Sequence, residues 1–350
     1  MPFQFSSRVA GFCFVACATI VSPLGAQQPA RTPAPAPSPS AASTQRPLSV
    51  FKVAPQVHVI SGDGANITVQ SGPDGVVLVD SGAGRRSADV LAAIKAISPD
   101  PIRYIINTTP DPDHVGGNAE IAPAGDALAG GGGGAGASFG GVRTGAGRLA
   151  HENVLLRMSS AGAGRQPFPE AAWPTEGYVD TKNIYLNGEA IQLLHAPATS
   201  DGDSIVFFRK SDVIVTGRII DVTHFPIIDV AAGGSVQAEI AALNRLVEMA
   251  VPPTPLVWQE GGTKVVPANG HVLEQADVVE YRDMITIVRD VVQDMIKKGM
   301  TLQQIRAAQP TKGYTRRYGS DTGRWTTANF VDAVYASLTA SATARTGGAR

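Results

Sequence analysis

The chain has 350 residues, a formal charge of −1 and only 17% charged residues. That length accommodates one large domain or two small ones, and the lack of any basic stripe argues against nucleic acid as a partner. Residues 1–26 read as an export signal: Arg8 precedes an apolar run from Val9 to Val21, and Pro23-Leu24-Gly25-Ala26 leads into polar Gln27-Gln28. The run is too short to span a bilayer. Cleavage is therefore expected after Ala26, placing the chain in the periplasm or outside the cell with no membrane span left. A lipoprotein anchored through Cys17 is the rival reading, disfavoured by the short apolar run before that residue. Both cysteines, Cys13 and Cys17, fall inside the signal. The mature chain then has no thiol, although its export route permits disulfides, and any metal must rest on His, Asp or Glu.

Residues 27–50 form a Pro/Ala-rich tether with too few apolar side chains to pack. From Phe51 the texture changes to short strands. Val57–Ile60, Asn66–Val69 and Gly75–Asp80 are separated by the turns Gly62-Asp63-Gly64 and Gly72-Pro73-Asp74-Gly75. Ser87 is placed to cap a helix ending near Ile97. The apolar run Ile102–Ile106 reads as a buried strand. It leads into Thr109-Pro110-Asp111-Pro112-Asp113-His114-Val115-Gly116-Gly117-Asn118. Such a loop puts charge at the mouth of a sheet, where metals and substrates bind, and Gly116-Gly117 lets the backbone pass close to an occupant.

Residues 124–164 read as a glycine-rich insertion. Its run Ala129–Gly136 offers no side chain to pack, and no Lys-Ser/Thr follows to make a phosphate loop. Between the glycines, His151–Met158 reads as a helical patch with His151 on its surface. The second half repeats the first: Asn183–Leu186, Ala190–His195, Asp203–Phe208 and Asp212–Val215 read as strands. Ser235 caps a helix with Ile240, Leu243, Val247 and Ala250 on one face. Strand Lys264–Val266 leads into Pro267-Ala268-Asn269-Gly270-His271, and a long helix runs from about Glu274 to Lys298 with Gly299 as its stop. Helices at 301–309 and 326–338 and a frayed tail at 339–350 complete the chain. Two halves of strands plus helices imply an α/β fold built as a four-layer αββα sandwich.

The loop from Thr109 to Asn118 resembles the metal-binding loop H-x-H-x-D-H-x-G-G of the metallo-beta-lactamase superfamily, and the resemblance extends over residues 51–338. Asp113, His114 and the glycine pair stand where the family has them; Thr109 and Asp111 replace its first two histidines. Asp80, in Val79-Asp80-Ser81-Gly82, resembles the early Asp whose usual duty is to hold the metal loop. Thr199 stands at the third histidine, Arg218 at the metal-bridging Asp of "T-G-D", and His271 matches the late "G-H" histidine.

The resemblance implies a hydrolase acting on an ester, thioester or amide of a small molecule. Its site would hold one zinc ion on Asp113, His114 and His271, the three-ligand arrangement of a catalytic zinc, with a bound water acidified towards ~7. Asp111 and Asp113 would then serve catalysis, Asp111 as general base, with Arg218 stabilising an oxyanion. Arg218 cannot bridge metals, because it keeps its proton, and it would repel a second cation. His224 is a candidate substrate contact overhanging the mouth. Thr199 and His195 are further candidates for the same role, and His195 is also a substitute ligand four residues before the lost histidine. The alternative is a catalytically silent binding protein with no metal, in which Asp111, Asp113, His114 and Arg218 form an ion-pair cluster. No oligomeric state is specified by these features.

Overall fold

Val77 and Val79 point to one side of their strand, Val76 and Leu78 to the other, and all four are buried. A strand apolar on both faces must lie inside a layered structure. The computed structural model describes residues 47–127, 145–161, 166–254 and 261–347, with side chains through residue 340. The export signal, nearly all of the tether and the run Ala129–Gly136 lie outside the described residues.

The first half supplies β1 (Ser49–Ala54), β2 (Val57–Ser61), β3 (Ile67–Gly72), β4 (Gly75–Val79), α1 (Ser87–Ile97), β5 (Ile102–Asn107), α2 (Pro112–Val115), α3 (Asn118–Ile121), β6 (Gly147–His151), α4 (Glu152–Ser159) and β7 (Glu176–Tyr178). Its seven strands form one sheet in sequence order, an antiparallel meander from β1 to β4 continued by parallel β5, β6 and β7. The second half supplies β8 (Thr181–Leu186), β9 (Glu189–His195), β10 (Ser204–Phe208), β11 (Val213–Val215), α5 (Val236–Met249), β12 (Lys264–Val266), α6 (Gln275–Lys297), α7 (Leu302–Ala308), α8 (Thr315–Tyr318) and α9 (Thr327–Gly347). Its five strands also pair in sequence order, antiparallel from β8 to β11 and parallel between β11 and β12.

The core follows the pleat. Val77, Val79, Ile106 and Leu149 of one sheet face Leu193, Val206, Phe208 and Val215 of the other. The outer face of the first sheet, with Val76, Leu78 and Ile105, packs on Val90 and Ile94 of α1 and Ile121 of α3. The outer face of the second, with Ile205, Phe207 and Ile214, packs on α5, α6 and α9. These are the four layers expected. Two helix signals act as anticipated: Ser235 accepts from the Ala238 amide at the start of α5, and Gly299 follows α6 at φ +75°, while Glu274 and Asp277 add a capping box on α6. Ser87 does not cap α1 but is its first residue, its hydroxyl donating to the Gly84 carbonyl.

Four boundaries differ from the sequence reading. β1 begins at Ser49, inside the residues read as tether, as a half-exposed edge strand. The span read as an insertion contains β6, which sits between β5 and β7 and is integral to the sheet. His151 ends that strand instead of lying on a helix surface; it is buried, and its Nδ1 accepts from the Asn153 amide to cap α4. The last helix runs on to Gly347. Among the described residues no helix is long and apolar enough to cross a membrane.

Phe330 of α9 stacks on Phe225 with ring centroids 4.7 Å apart and planes 5° from parallel, both rings being buried. Truncation there leaves a cavity the helices cannot close. Phe330→Ala is expected to lower the unfolding free energy by about 3–5 kcal/mol in urea titrations, against about 1 kcal/mol for loss of the α5 cap in Ser235→Ala.

Candidate functional site

The loops after β4, β5, β11 and β12 meet at one edge of the sandwich. Asn66 fastens the two halves there: its amide donates to the Ala268 carbonyl at 2.7 Å, and its Nδ2 to the carbonyls of Pro267 and Gly270. The Ser204 amide donates to the Thr108 carbonyl at 2.9 Å, closing the ring from the other side.

Asp80 leaves β4 at φ +62°, a conformation that Asp adopts more readily than most residues. Its buried carboxylate accepts from the Thr108 amide (2.9 Å), the Thr108 hydroxyl (2.7 Å) and His114 Nδ1 (2.7 Å). Burial alone would push the His114 imidazole down. The charge and hydrogen bond of Asp80, with Asp203 and Asp113 behind it, outweigh burial and hold it above its ordinary value. Asn118, also buried, locks the loop from below through Ser81, Asn107 and the Ala172 carbonyl. The glycine pair has a different duty from the one its sequence suggested. A Cβ on Gly116 would meet the Ala83 carbonyl at 2.4 Å and one on Gly117 the Ser81 carbonyl at 2.3 Å. The pair lets the loop lie against the backbone after β4.

Arg218, in the turn Gly217–Ile219 after β11, forms an ion pair with Asp111 and donates from Nη2 to the Ile227 carbonyl at 2.8 Å. Burial lowers the guanidinium to about 10, against the charges of Asp229, Glu239 and Asp221, so it stays charged at neutral pH. Thr199 is fully buried and donates to Asp203 at 2.6 Å. It is thus bonded within the protein and turned away from solvent, where the sequence reading made it a candidate substrate contact. Ser200 gives Asp203 two further hydrogen bonds. Burial still pushes the Asp203 carboxyl up, against those bonds and the nearby Thr109 hydroxyl. Behind this group stands Glu239 of α5, missed in the sequence, fully buried with neither carboxylate oxygen hydrogen-bonded.

The remaining candidates lie apart. His195 stacks on His151, centroids 3.6 Å apart and planes 8° from parallel, and its Nε2 donates to the Asp201 carbonyl. Its ring is held by this stack and this bond, apart from Asp113, His114 and Arg218. His224 is half-buried, with Nδ1 donating to the Phe225 carbonyl and Nε2 3.3 Å from Asp221. Asp221 also accepts from Thr223 and from Asn269 of the His271 loop, so these loops form one rim. Asp113 and His271 are exposed on that rim, whereas His114 is buried against Asp80.

A family model described as the metallo-beta-lactamase superfamily matches residues 60–257. The chain belongs to the metallo-beta-lactamase superfamily. Its fold is similar to that of a metallo-beta-lactamase from Pontibacter korlensis, at 15% identity and TM-score 0.51, covering 68% of this chain and 99% of that one. It is also similar to the stereoselective inverting sec-alkylsulfatase Pisa1 from Pseudomonas sp., at 13% identity and TM-score 0.51, covering 82% of this chain and 50% of that one. A double mutant of the same sulfatase gives 14% identity and TM-score 0.51, with 75% and 45% covered. The chain thus spans about half the length of these sulfatase chains. No curated protein matches it.

Superfamily membership brings with it a hydrolase-type fold and an expectation of zinc. The residues present do not fit that ion. Among the described residues no group of three or more His, Cys, Asp or Glu side chains stands where it could hold a metal. Among the described residues Asp113, His114 and His271, the expected ligand set, are not brought together, and Asp111 is paired with a cation, Arg218.

Two predictions follow from this geometry. Asp80→Ala leaves Thr108 and a buried His114 without their acceptor and should destabilise by about 3–5 kcal/mol in denaturant unfolding, with Asp80→Asn costing clearly less because it keeps one acceptor and tolerates positive φ. The His151 imidazole is pushed below 6.5 first by burial and then by His195, against the Val179 carbonyl, Glu152 and Asp201. The unfolded chain therefore takes up a proton at this position that the folded one refuses, and the contribution of His151 to stability falls as pH drops through about 6.5. Unfolding free energy measured from pH 7.5 to 5 should fall more steeply for the natural chain than for His151→Gln.

Proposed function

We propose that this superfamily member works without a resident metal, as an exported binding protein for a small molecule held at the rim formed by Asp113, His224 and His271. The observation that carries this reading is the Arg218–Asp111 ion pair, with Arg218 standing where the family pattern places its metal-bridging carboxylate. A guanidinium in that position supplies the positive charge that a metal would supply, and it opposes the entry of one. Unit charges 4 Å apart at an effective dielectric of ~20 interact by about 4 kcal/mol, which weighs against an ion placed beside the guanidinium. The hydroxyl and carboxyl group of Thr199, Ser200 and Asp203 fills the neighbouring position by bonding within itself. Asp113 and His271, exposed and unclustered, are left to meet a ligand directly.

Metal analysis decides the matter. Protein spanning residues 27–350, purified without chelator and then soaked in Zn²⁺, is expected to retain no ion after desalting, with an unfolding temperature indifferent to Zn²⁺. A site filled at 100 times its dissociation constant would add about 2.7 kcal/mol, a shift that thermal melts detect readily. One tightly held ion, lost in His271→Ala, would overturn this reading and restore the single-zinc hydrolase acting on an ester, thioester or amide.

A further inference from the structure

The helices on the outer face of the second sheet leave a groove of about 480 Å³ between α5 and strands β9 and β10, a size that suits a small molecule. It shares no residue with the rim. Its floor is Leu194 of β9 and Phe207 of β10, both part of the core under α5. Arg245 and Met249, four residues apart and so on one face of α5, make a wall. Arg209, two residues beyond Phe207, stands on the same side of the sheet, with its guanidinium carbon 4.9 Å from the centre of the Phe207 ring. Elsewhere the chain pairs its arginines: Arg86, Arg103, Arg157 and Arg218 each have a carboxylate. Arg245 instead donates from Nη1 to the His195 carbonyl at 3.1 Å, and Arg209 lies on the ring; among the described residues neither forms an ion pair. The acidic group that lines the groove, Asp212, already accepts from the Thr263 hydroxyl at 2.9 Å.

We propose that this groove is a second ligand site, which takes a monocarboxylate with an apolar body: the carboxylate meets Arg209 and Arg245, and the body lies along Leu194, Phe207 and Met249. Two guanidinium groups and one carboxylate leave an excess of one positive charge, the complement of a single anionic group. A guanidinium offers five donors in a fixed fork, and the one bond of Arg245 to the His195 carbonyl anchors its head while leaving donors over. Such donors take a carboxylate in paired, charge-assisted hydrogen bonds. The floor and the methionine give an apolar body a surface on which to leave water. A neutral molecule of the same shape would leave both arginines without a counter-charge, and a bare anion would leave the apolar floor wet. The site is independent of the rim and of the metal-free reading.

Calorimetric titration of protein spanning residues 27–350 with octanoate reads both halves of this recognition. Octanoate is expected to bind at one site, with octan-1-ol and acetate each weaker by about tenfold or more, the loss of one charge-assisted bond or of about two buried methylenes. Arg209→Gln and Arg245→Gln should each weaken octanoate about tenfold. Arg209→Gln is the safer variant for folding, because that side chain is exposed and its loss leaves the bond from α5 to His195 in place. His271→Ala should leave octanoate affinity unchanged, which separates this site from the rim. No binding of octanoate, equal affinity for octan-1-ol, affinity indifferent to Arg209→Gln, or affinity lost in His271→Ala would overturn the proposal. None of these outcomes depends on metal content, so its failure is distinct from the failure of the metal-free reading.

Discussion

The carboxylate of Asp80 is the contact on which the site depends. It sits at the end of β4 and gathers three donors from the chain that follows β5, two from Thr108 and one from His114. Each bond is an ordinary charge-assisted one, worth about 1.5–3 kcal/mol at most. Together they convert a polar loop, which would otherwise wander over the sheet edge, into a fixed shelf. Asn118 repeats the device one turn later, and the close packing of Gly116 and Gly117 on the Ser81–Ala83 backbone leaves the shelf no room to slide. What the shelf presents then depends on which side chains stand on it.

Here the side chains make a charge balance among themselves. Arg218 is buried with Asp111 at the mouth, and Asp203 and Glu239 stand behind it, both with carboxyl groups pushed upward by burial. A buried ion pair is poor evidence of stability, since desolvation offsets most of its attraction. Against the family pattern, an arginine stands at position 218 and a threonine at position 199, the latter closed into a hydrogen-bonded knot with Asp203. The scaffold holding the loops is unaltered by either change, because its hold on them comes from Asp80, Asn118 and Asn66, which those substitutions do not touch.

Most of the fold was legible in the sequence because the strongest signals were local. Uninterrupted apolar strands such as β4, β5 and β10, and the capped helices α5 and α6, carry their own punctuation. The misreadings have physical causes. β1 is an edge strand with half its residues exposed, so Ser49 and Val50 look like the tether before them. β6 is a short strand set among glycines, and only its neighbours β5 and β7 make it part of a sheet. At the site, Asp80, Asp111 and Arg218 stood out through their family positions. Glu239 did not, since a glutamate beside Ile240 on an amphipathic helix reads as a surface residue until the turn carrying Arg218 is placed against it. The His151–His195 stack was equally hidden, as its partners are 44 residues apart and meet only where the ends of β6 and β9 come together across the two sheets.

Both sheets pair their strands in sequence order, so each is a series of short closures made within its own half of the chain. The bonds of Asn66 to Pro267 and Gly270 are of another kind, spanning 201 and 204 residues. Long closures carry an entropic cost that is recovered only once both ends are already ordered. The rim of the site, where those bonds lie, is therefore the final seam in the folding of this molecule. Two well-formed halves do not by themselves make this rim, which needs the docking of one half on the other through Asn66.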